Sequence, residues 1–182
     1  GKTPISLGDL EGNEFTITVR NLEERDIKKI KSMENNKTKI PNLYGPQRFS
    51  KNNHLVGKAI VKKDFKKAVE LLLDNNGTVE GKIKLYLKEN KNNCIGALRL
   101  IPLKTLKLFA HSYQSFLFNK IAKELGIGNK KNIKIPIIGF SFEINEIKSP
   151  KIRKAIKRIM EEEKLNPRDF ITSQMPELSS EG

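Results

Sequence analysis

The ten residues Pro41–Ser50, PNLYGPQRFS, bring together more chemically useful side chains than any other short stretch of this 182-residue chain. Tyr44 and Phe49 offer flat faces on which a nucleobase can stack, and such a stack contributes roughly 1–3 kcal/mol in single-strand binding proteins. Asn42 and Gln47 each carry a donor and an acceptor, as reading a base edge requires, while Arg48 can clamp a phosphate or a carboxylate through two parallel bonds. Gly45 lets a backbone approach closely. Pro41 and Pro46 remove two backbone donors, so the segment is expected to be a loop. A second reading stays open on the same residues: the two rings plug the core beneath a loop, and Arg48 forms a salt bridge.

Other chemistries find little support. His54 and His111 have no partner at metal-ligand spacing, and no metal site is expected. LGIGNKKN has two glycines but lacks the strand, turn and helix context of a phosphate-binding loop, and no serine-hydrolase signature is present. The single cysteine, Cys94, rules out an internal disulfide and fits a reducing, cytoplasmic setting. No apolar run approaches the roughly 18 residues of a membrane span, so no membrane partner is expected.

Charge points the same way as the loop. Thirty-five Lys and Arg against twenty-one Asp and Glu give a formal charge of +14, and a sequence pI near 9.8 is the electrostatic footprint of a nucleic-acid partner. A proteome rich in lysine would produce the same balance without any such partner. The crowded lysines Lys62, Lys63, Lys66 and Lys67 are candidates for contact with an RNA backbone.

Several elements must position these groups. In NEFTITVR, Phe15, Ile17 and Val19 alternate with Thr16, Thr18 and Arg20, which predicts a strand with one buried face. Leu22, Ile27, Ile30 and Met33 follow at helical spacing behind Asn21 as a candidate cap. From Asn53 the pattern is helical again. Asp64 is expected to cap a helix whose apolar face is Phe65, Ala68, Val69 and Leu72. DNNGTVEG breaks that helix, and a boundary is expected near Gly77. KIKLYLKENKNN alternates like a strand yet has the composition of a helix, and both remain open. Pro102 should start a helix running to Gly126 with Leu106, Phe109, Ala110, Tyr113, Leu117 and Ile121 as its core stripe. On it, Gln114, Ser115 and Asn119 could satisfy backbone groups across a packed junction. IPIIGFSFEI predicts a buried strand, with Pro136 and Gly139 favouring a bulge or edge. Ser149 and Pro150 open a final helix with Ile152, Ala155, Ile156, Ile159 and Met160 on one face.

PNLYGPQRFS resembles the Asn-Tyr-Phe-Gly-x-Gln-Arg-Phe-Gly motif of the TruD family of tRNA pseudouridine synthases. The likeness continues in order. LGDLEGNEF resembles that family's lead-in, NNHLVGKAI its following helix, AHSYQSFLFN its Tyr-Gln-Ser-Tyr-Leu-Phe-Asn helix, and IPIIGF with MPELSSEG its later landmarks. Departures are Leu43 in place of Tyr, Tyr44 in place of Phe, and Ser50 in place of Gly.

The resemblance implies an α+β pseudouridine synthase fold, a mixed sheet with flanking helices joined to a TruD-type insertion domain. Residues 1–76 would be part of the catalytic domain and residues 77–182 a truncated insertion domain. The implied activity is isomerisation of uridine, at position 13 of tRNA, to pseudouridine, after the target base is flipped out of its stack. No cofactor is implied. Uridine would be held by Asn42, Tyr44, Gly45, Gln47, Arg48 and Phe49. The family's nucleophilic Asp lies in a Gly-x-Lys-Asp motif just upstream of the lead-in. None of Asp9, Asp26, Asp64, Asp74 or Asp169 has that context, so the nucleophile is expected upstream of Gly1 and the chain by itself is expected to be inactive. The alternative function is a non-catalytic basic RNA-binding module.

Overall fold

The structure is a computed structural model, and it describes residues 12, 14–33, 42–74, 78–126 and 133–182. Eight α-helices run in chain order through the described residues: α1 Glu24–Met33, α2 Pro46–Phe49, α3 Asn53–Val61, α4 Phe65–Leu73, α5 Thr78–Glu89, α6 Cys94–Leu98, α7 Leu103–Glu124 and α8 Pro150–Glu162. Short 3-10 turns occupy Ile144–Glu146, Pro167–Phe170 and Pro176–Leu178. The chain divides into two compact units, residues 1–39 and 40–182.

No strand occurs among the described residues, which corrects the expected mixed sheet of an α+β fold. Period-two alternation shows only that a segment could bury one face, whereas a strand also needs a neighbour to accept its backbone ladder. For residues 14–20 no such neighbour lies among the described residues, and Phe15 and Ile17 are 77% and 79% exposed. In the IPIIGFSFEI segment the backbone bonds go elsewhere. Phe142 N–H turns back to Gly139 O, and Phe140 N–H donates to Ser180 O near the far end of the chain.

In the first unit the expected helix forms as α1, but it begins at Glu24, with Asp26 accepting the Glu23 N–H at 3.2 Å. None of its residues is buried. Asn21, the candidate cap, instead holds a left-handed φ of 60°.

The second unit is built on α7. The predicted stripe Leu106, Phe109, Ala110, Tyr113, Leu117 and Ile121 is buried throughout. The N-terminal half of α7 packs in one cluster with α3, α4, α6 and Ile83 of α5, so this core lies on both sides of Gly77. Its C-terminal half packs with Ala155, Ile156 and Ile159 of α8 and with Ile138, Phe142 and Phe170. Where α3 crosses α7, a Cβ on Gly57 would lie 2.0 Å from the carbonyl oxygen of Phe109. Only a glycine allows the two backbones to meet there.

Local signals fixed the helix ends. Asp64 accepts the Lys67 N–H at 3.0 Å and caps α4, whose expected face Phe65, Ala68, Val69 and Leu72 is buried. Pro102 stands at the N-cap of α7. Ser149 caps α8 through the Ile152 N–H, with Pro150 in the first turn. The ambiguous KIKLYLKENKNN lies mostly in α5, where Val79, Ile83 and Leu87 face the core at helical spacing and Leu85 is left exposed.

Candidate uridine-binding loop

Expected to be a loop, the segment 42–50 is irregular only over residues 42–45 and then winds into the one-turn helix α2, because Pro46 suits a first helical position as well as a turn; this loop, α2 included, lies against the polar side of α7. Asn119 holds it by a reciprocal pair of bonds: Tyr44 N–H donates to Asn119 Oδ1 at 3.0 Å, and Asn119 Nδ2 donates to Tyr44 O at 2.9 Å. One turn and two turns earlier on the helix, Ser115 Oγ accepts from Arg48 Nε at 3.0 Å and Ser112 Oγ donates to Arg48 O at 3.0 Å. Asn53 Nδ2 also reaches Arg48 O, at 3.4 Å.

Ring contacts continue this anchorage. Tyr44 meets Phe118 of α7 edge-on at 5.5 Å, and the Arg48 guanidinium lies 5.6 Å from the Tyr44 ring centroid, on the scale of a cation–π contact. Phe49 meets His54 edge-on at 5.5 Å, and His54 stacks on Phe116 at 5.0 Å. Burial dominates the environment of His54 and lowers its pKa, so the ring is neutral at pH 7 despite the opposing field of Glu163. Its Nδ1 is buried without a hydrogen-bond partner.

Tyr44, Arg48 and Phe49 are half-buried, so neither ring is sealed in the interior. Asn42, Gly45 and Gln47 are exposed, and nothing lies within 4 Å of where a Gly45 side chain would begin. The φ of Gly45 is −81°, so glycine is not required there by backbone geometry; what it contributes is open space. The terminal nitrogens of Arg48 make no hydrogen bond among the described residues. Ser50, standing where the family motif has glycine, has φ 45° and ψ −133°, a conformation that L side chains rarely adopt.

The four lysines proposed for RNA contact differ in their surroundings. Lys62 pairs with Asp169 at 2.8 Å and also bonds Lys164 O; Lys63 donates to Val61 O and Asp169 O. These two tie the end of α3 to the segment after α8. Burial lowers the pKa of Lys63, with Asp169 opposing that shift. Burial alone would raise the Asp169 pKa, but the Asn166 N–H and Lys62 outweigh it and the carboxylate titrates low. Lys66 and Lys67 are exposed, Lys67 with Glu70 at 3.3 Å.

Between α3, α7 and the end of α8 sits a buried carboxylate. Glu163, 8% exposed, accepts from Lys58 at 2.7 Å, Lys120 at 2.8 Å and the Tyr113 hydroxyl at 3.2 Å. Desolvation pushes its pKa up, but the two ammonium groups prevail and hold it below the usual carboxylate range. The Tyr113 hydroxyl is pushed well up by burial and by Glu163. Gln114 completes the set of buried polar groups on α7: its Nδ-equivalent amide nitrogen, Nε2, donates to Ile138 O at 2.9 Å and Glu181 O at 3.3 Å.

Asn119 and Gln114 therefore satisfy backbone groups across the junction as their residue types suggested, whereas Ser115 meets the Arg48 side chain there and donates to His111 O of its own helix at 2.8 Å. His54 and Ser112 were not singled out as loop supports by sequence reasoning. One signal was available: Ser112, Ser115 and Asn119 form a line of small polar side chains at helical spacing on α7, beside its apolar stripe. Among the described residues no group of three or more His, Cys, Asp or Glu could hold a metal ion. No helix among them is long and apolar enough to cross a membrane.

Comparison with known proteins agrees with the motif order. The family model described as tRNA pseudouridine synthase D (TruD) matches residues 1–83. A protein of Methanosarcina mazei named "Probable tRNA pseudouridine synthase D" is 31% identical over 97% of this chain and 51% of its own length. A Methanopyrus kandleri protein of the same name is 28% identical over 96% of this chain and 55% of its own. The chain thus spans about half the length of these curated relatives. A crystal structure of a TruD protein from Methanosarcina mazei superposes with a TM-score of 0.65 at 21% identity, covering 77% of this chain and 49% of that one, a likeness of fold. From ordered motifs, family model, relatives and fold together, the chain belongs to the TruD family.

Proposed function

We propose that the chain is the base-engaging part of a TruD-type tRNA pseudouridine synthase, and that the loop 42–50 receives a uridine flipped out of the RNA. The observation that carries this reading is the loop itself. Its backbone is clamped to α7 at Tyr44 and Arg48, while Asn42, Gly45 and Gln47 stay exposed beside two half-buried rings. A base stacked against Tyr44 or Phe49 could be read along its edge by Asn42 and Gln47, and the planar fork of Arg48 suits a phosphate. Extrusion is needed because the glycosidic carbon is out of reach inside a stack.

In this reading the nucleophilic carboxylate comes from outside these 182 residues. Asp64 caps α4 and Asp169 is bound by Lys62 and the Asn166 N–H, so both have structural duties. In the complete enzyme the carboxylate would bond to the ribose C1′ as the N1–C1′ bond breaks, the base would turn, and its C5 would then displace the carboxylate from C1′, with the C5 proton lost and N1 protonated. The chain alone should form no pseudouridine in unmodified tRNA; turnover would place the nucleophile among its own aspartates.

Tyr44→Ala tests the loop. RNA carrying an unpaired uridine should bind more weakly by about 1–3 kcal/mol, with a smaller loss of fold stability. Equal losses in a titration and a thermal melt would return Tyr44 to the role of core plug.

A further inference from the structure

The helix α8 has no part in the loop, yet it is strongly basic. Between Ile147 and Met160 the chain places Lys148, Lys151, Arg153, Lys154, Lys157 and Arg158 with no carboxylate among them. Ala155, Ile156 and Ile159 bury the opposite face of the helix, which fixes the direction in which the cations project. Three of these side chains have protein partners. Arg153 donates twice to Ile147 O, at 3.2 and 2.7 Å, Arg158 pairs with Glu124 at 2.6 Å, and Lys151 reaches Leu125 O at 3.4 Å. Lys154 and Lys157 are exposed and have no ion pair among the described residues.

The surface around them is concave. Arg153, Lys154, Lys157 and Arg158 line a groove of about 500 Å³. A second groove of about 450 Å³ shares Lys157 and Glu161 with it and continues to Lys164 over Met160 and Leu165. Two adjoining channels with five cations and one carboxylate, Glu161, form a track and not a point site. Lys154 and Lys157 are one turn apart, about 4.5 Å along the axis, close to the spacing at which a polyanion presents successive charges.

We propose that the α8 groove is an RNA-contact surface that takes the phosphodiester backbone of the substrate RNA away from the flipped uridine. This rests on the uridine-loop reading, because an RNA that delivers one base to residues 42–50 must lie elsewhere on the protein. The unpaired ammonium groups supply mobile point charges, the anchored Arg153 and Arg158 supply planar donors, and the apolar floor can carry sugar faces.

The test is a titration of the chain with a labelled tRNA transcript between about 50 and 200 mM salt. The double variant Lys154→Glu/Lys157→Glu should lose affinity at least about tenfold, and its slope of log K against log salt should fall by about 1.4–1.8, the release expected from two phosphate contacts. Lys84→Glu/Lys88→Glu, two exposed lysines of α5 with the same change in net charge, should lose less than half as much. Equal loss in both variants would overturn the proposal in favour of general charge attraction. So would competition by polyglutamate as strong as that of RNA, which would point to an acidic protein. An unaffected α8 variant alongside weakened binding by Tyr44→Ala would sink the groove and leave the loop standing. Absence of any RNA binding by the unmodified chain would sink both.

Discussion

Replacing Asn119 by alanine should loosen the loop at its most concentrated point of attachment. The substitution removes two hydrogen bonds at once, Tyr44 N–H to Oδ1 at 3.0 Å and Nδ2–H to Tyr44 O at 2.9 Å. Each bond of this kind contributes about 0.5–1.5 kcal/mol net, so their sum lies between about 1 and 3 kcal/mol. Tyr44 is half-buried, and water can reach part of the freed peptide group; that places the expected loss at about 1–2 kcal/mol. The bonds of Ser112 and Ser115 to Arg48 survive, so the second half of the loop stays docked while the Tyr44 ring loses its fixed position over Phe118. Urea denaturation gives the stability, and an RNA titration gives the uridine contact. Asn119→Asp keeps the acceptor for Tyr44 N–H but turns a carboxylate toward Tyr44 O, and should be no better than alanine. Full stability and full uridine binding in Asn119→Ala would refute the idea that this side chain positions the loop.

Ser50→Gly should stabilise the chain by about 0.5–1.5 kcal/mol in the same denaturation assay, since relief of a strained φ of 45° outweighs the added freedom of glycine in the unfolded state; a loss of stability would contradict it. Glu163→Gln should flatten the acid limb of stability against pH. The Glu163 pKa is lowered by folding, so its contribution is complete above the ordinary glutamate range and is lost as pH falls through the lower folded value. Asp169 adds a slope of the same sign to both proteins. Acid limbs of equal steepness in wild type and Glu163→Gln would show that the carboxylate does not depend on Lys58 and Lys120.

The helices were legible where local chemistry decides. Asp64, Pro102 and the pair Ser149 and Pro150 mark their helix starts within a residue, and the stripes of α4, α7 and α8 become buried faces. What sequence pattern could not supply was the partner. Phe15, Ile17 and Val19 alternate as a strand should, yet nothing among the described residues pairs with them, and the backbone around Gly139 is taken up by Ser180, far along the chain. α1 has the right period but buries nothing. The loop was visible from composition alone. Its fastening was only partly so, because the bonds between Tyr44 and Asn119 span 75 positions, and no local window contains both ends.

The crossing at Gly57 has a consequence for the proposed engagement of a nucleotide by the loop. Residues 42–50 lie along α7 and lead into α3, and at Gly57 these two helices approach so closely that a Cβ there would meet the carbonyl of Phe109, while Val56, Ala59 and Ile60 pack with Leu106 and Phe109 beside it. Such a contact leaves little room for sliding, so both supports of the loop travel as one body. If the proposed uridine site is correct, its rim is thereby set in advance, and the entropy lost on engagement would fall mainly on the RNA, which must unstack and thread a base into a mould already in shape.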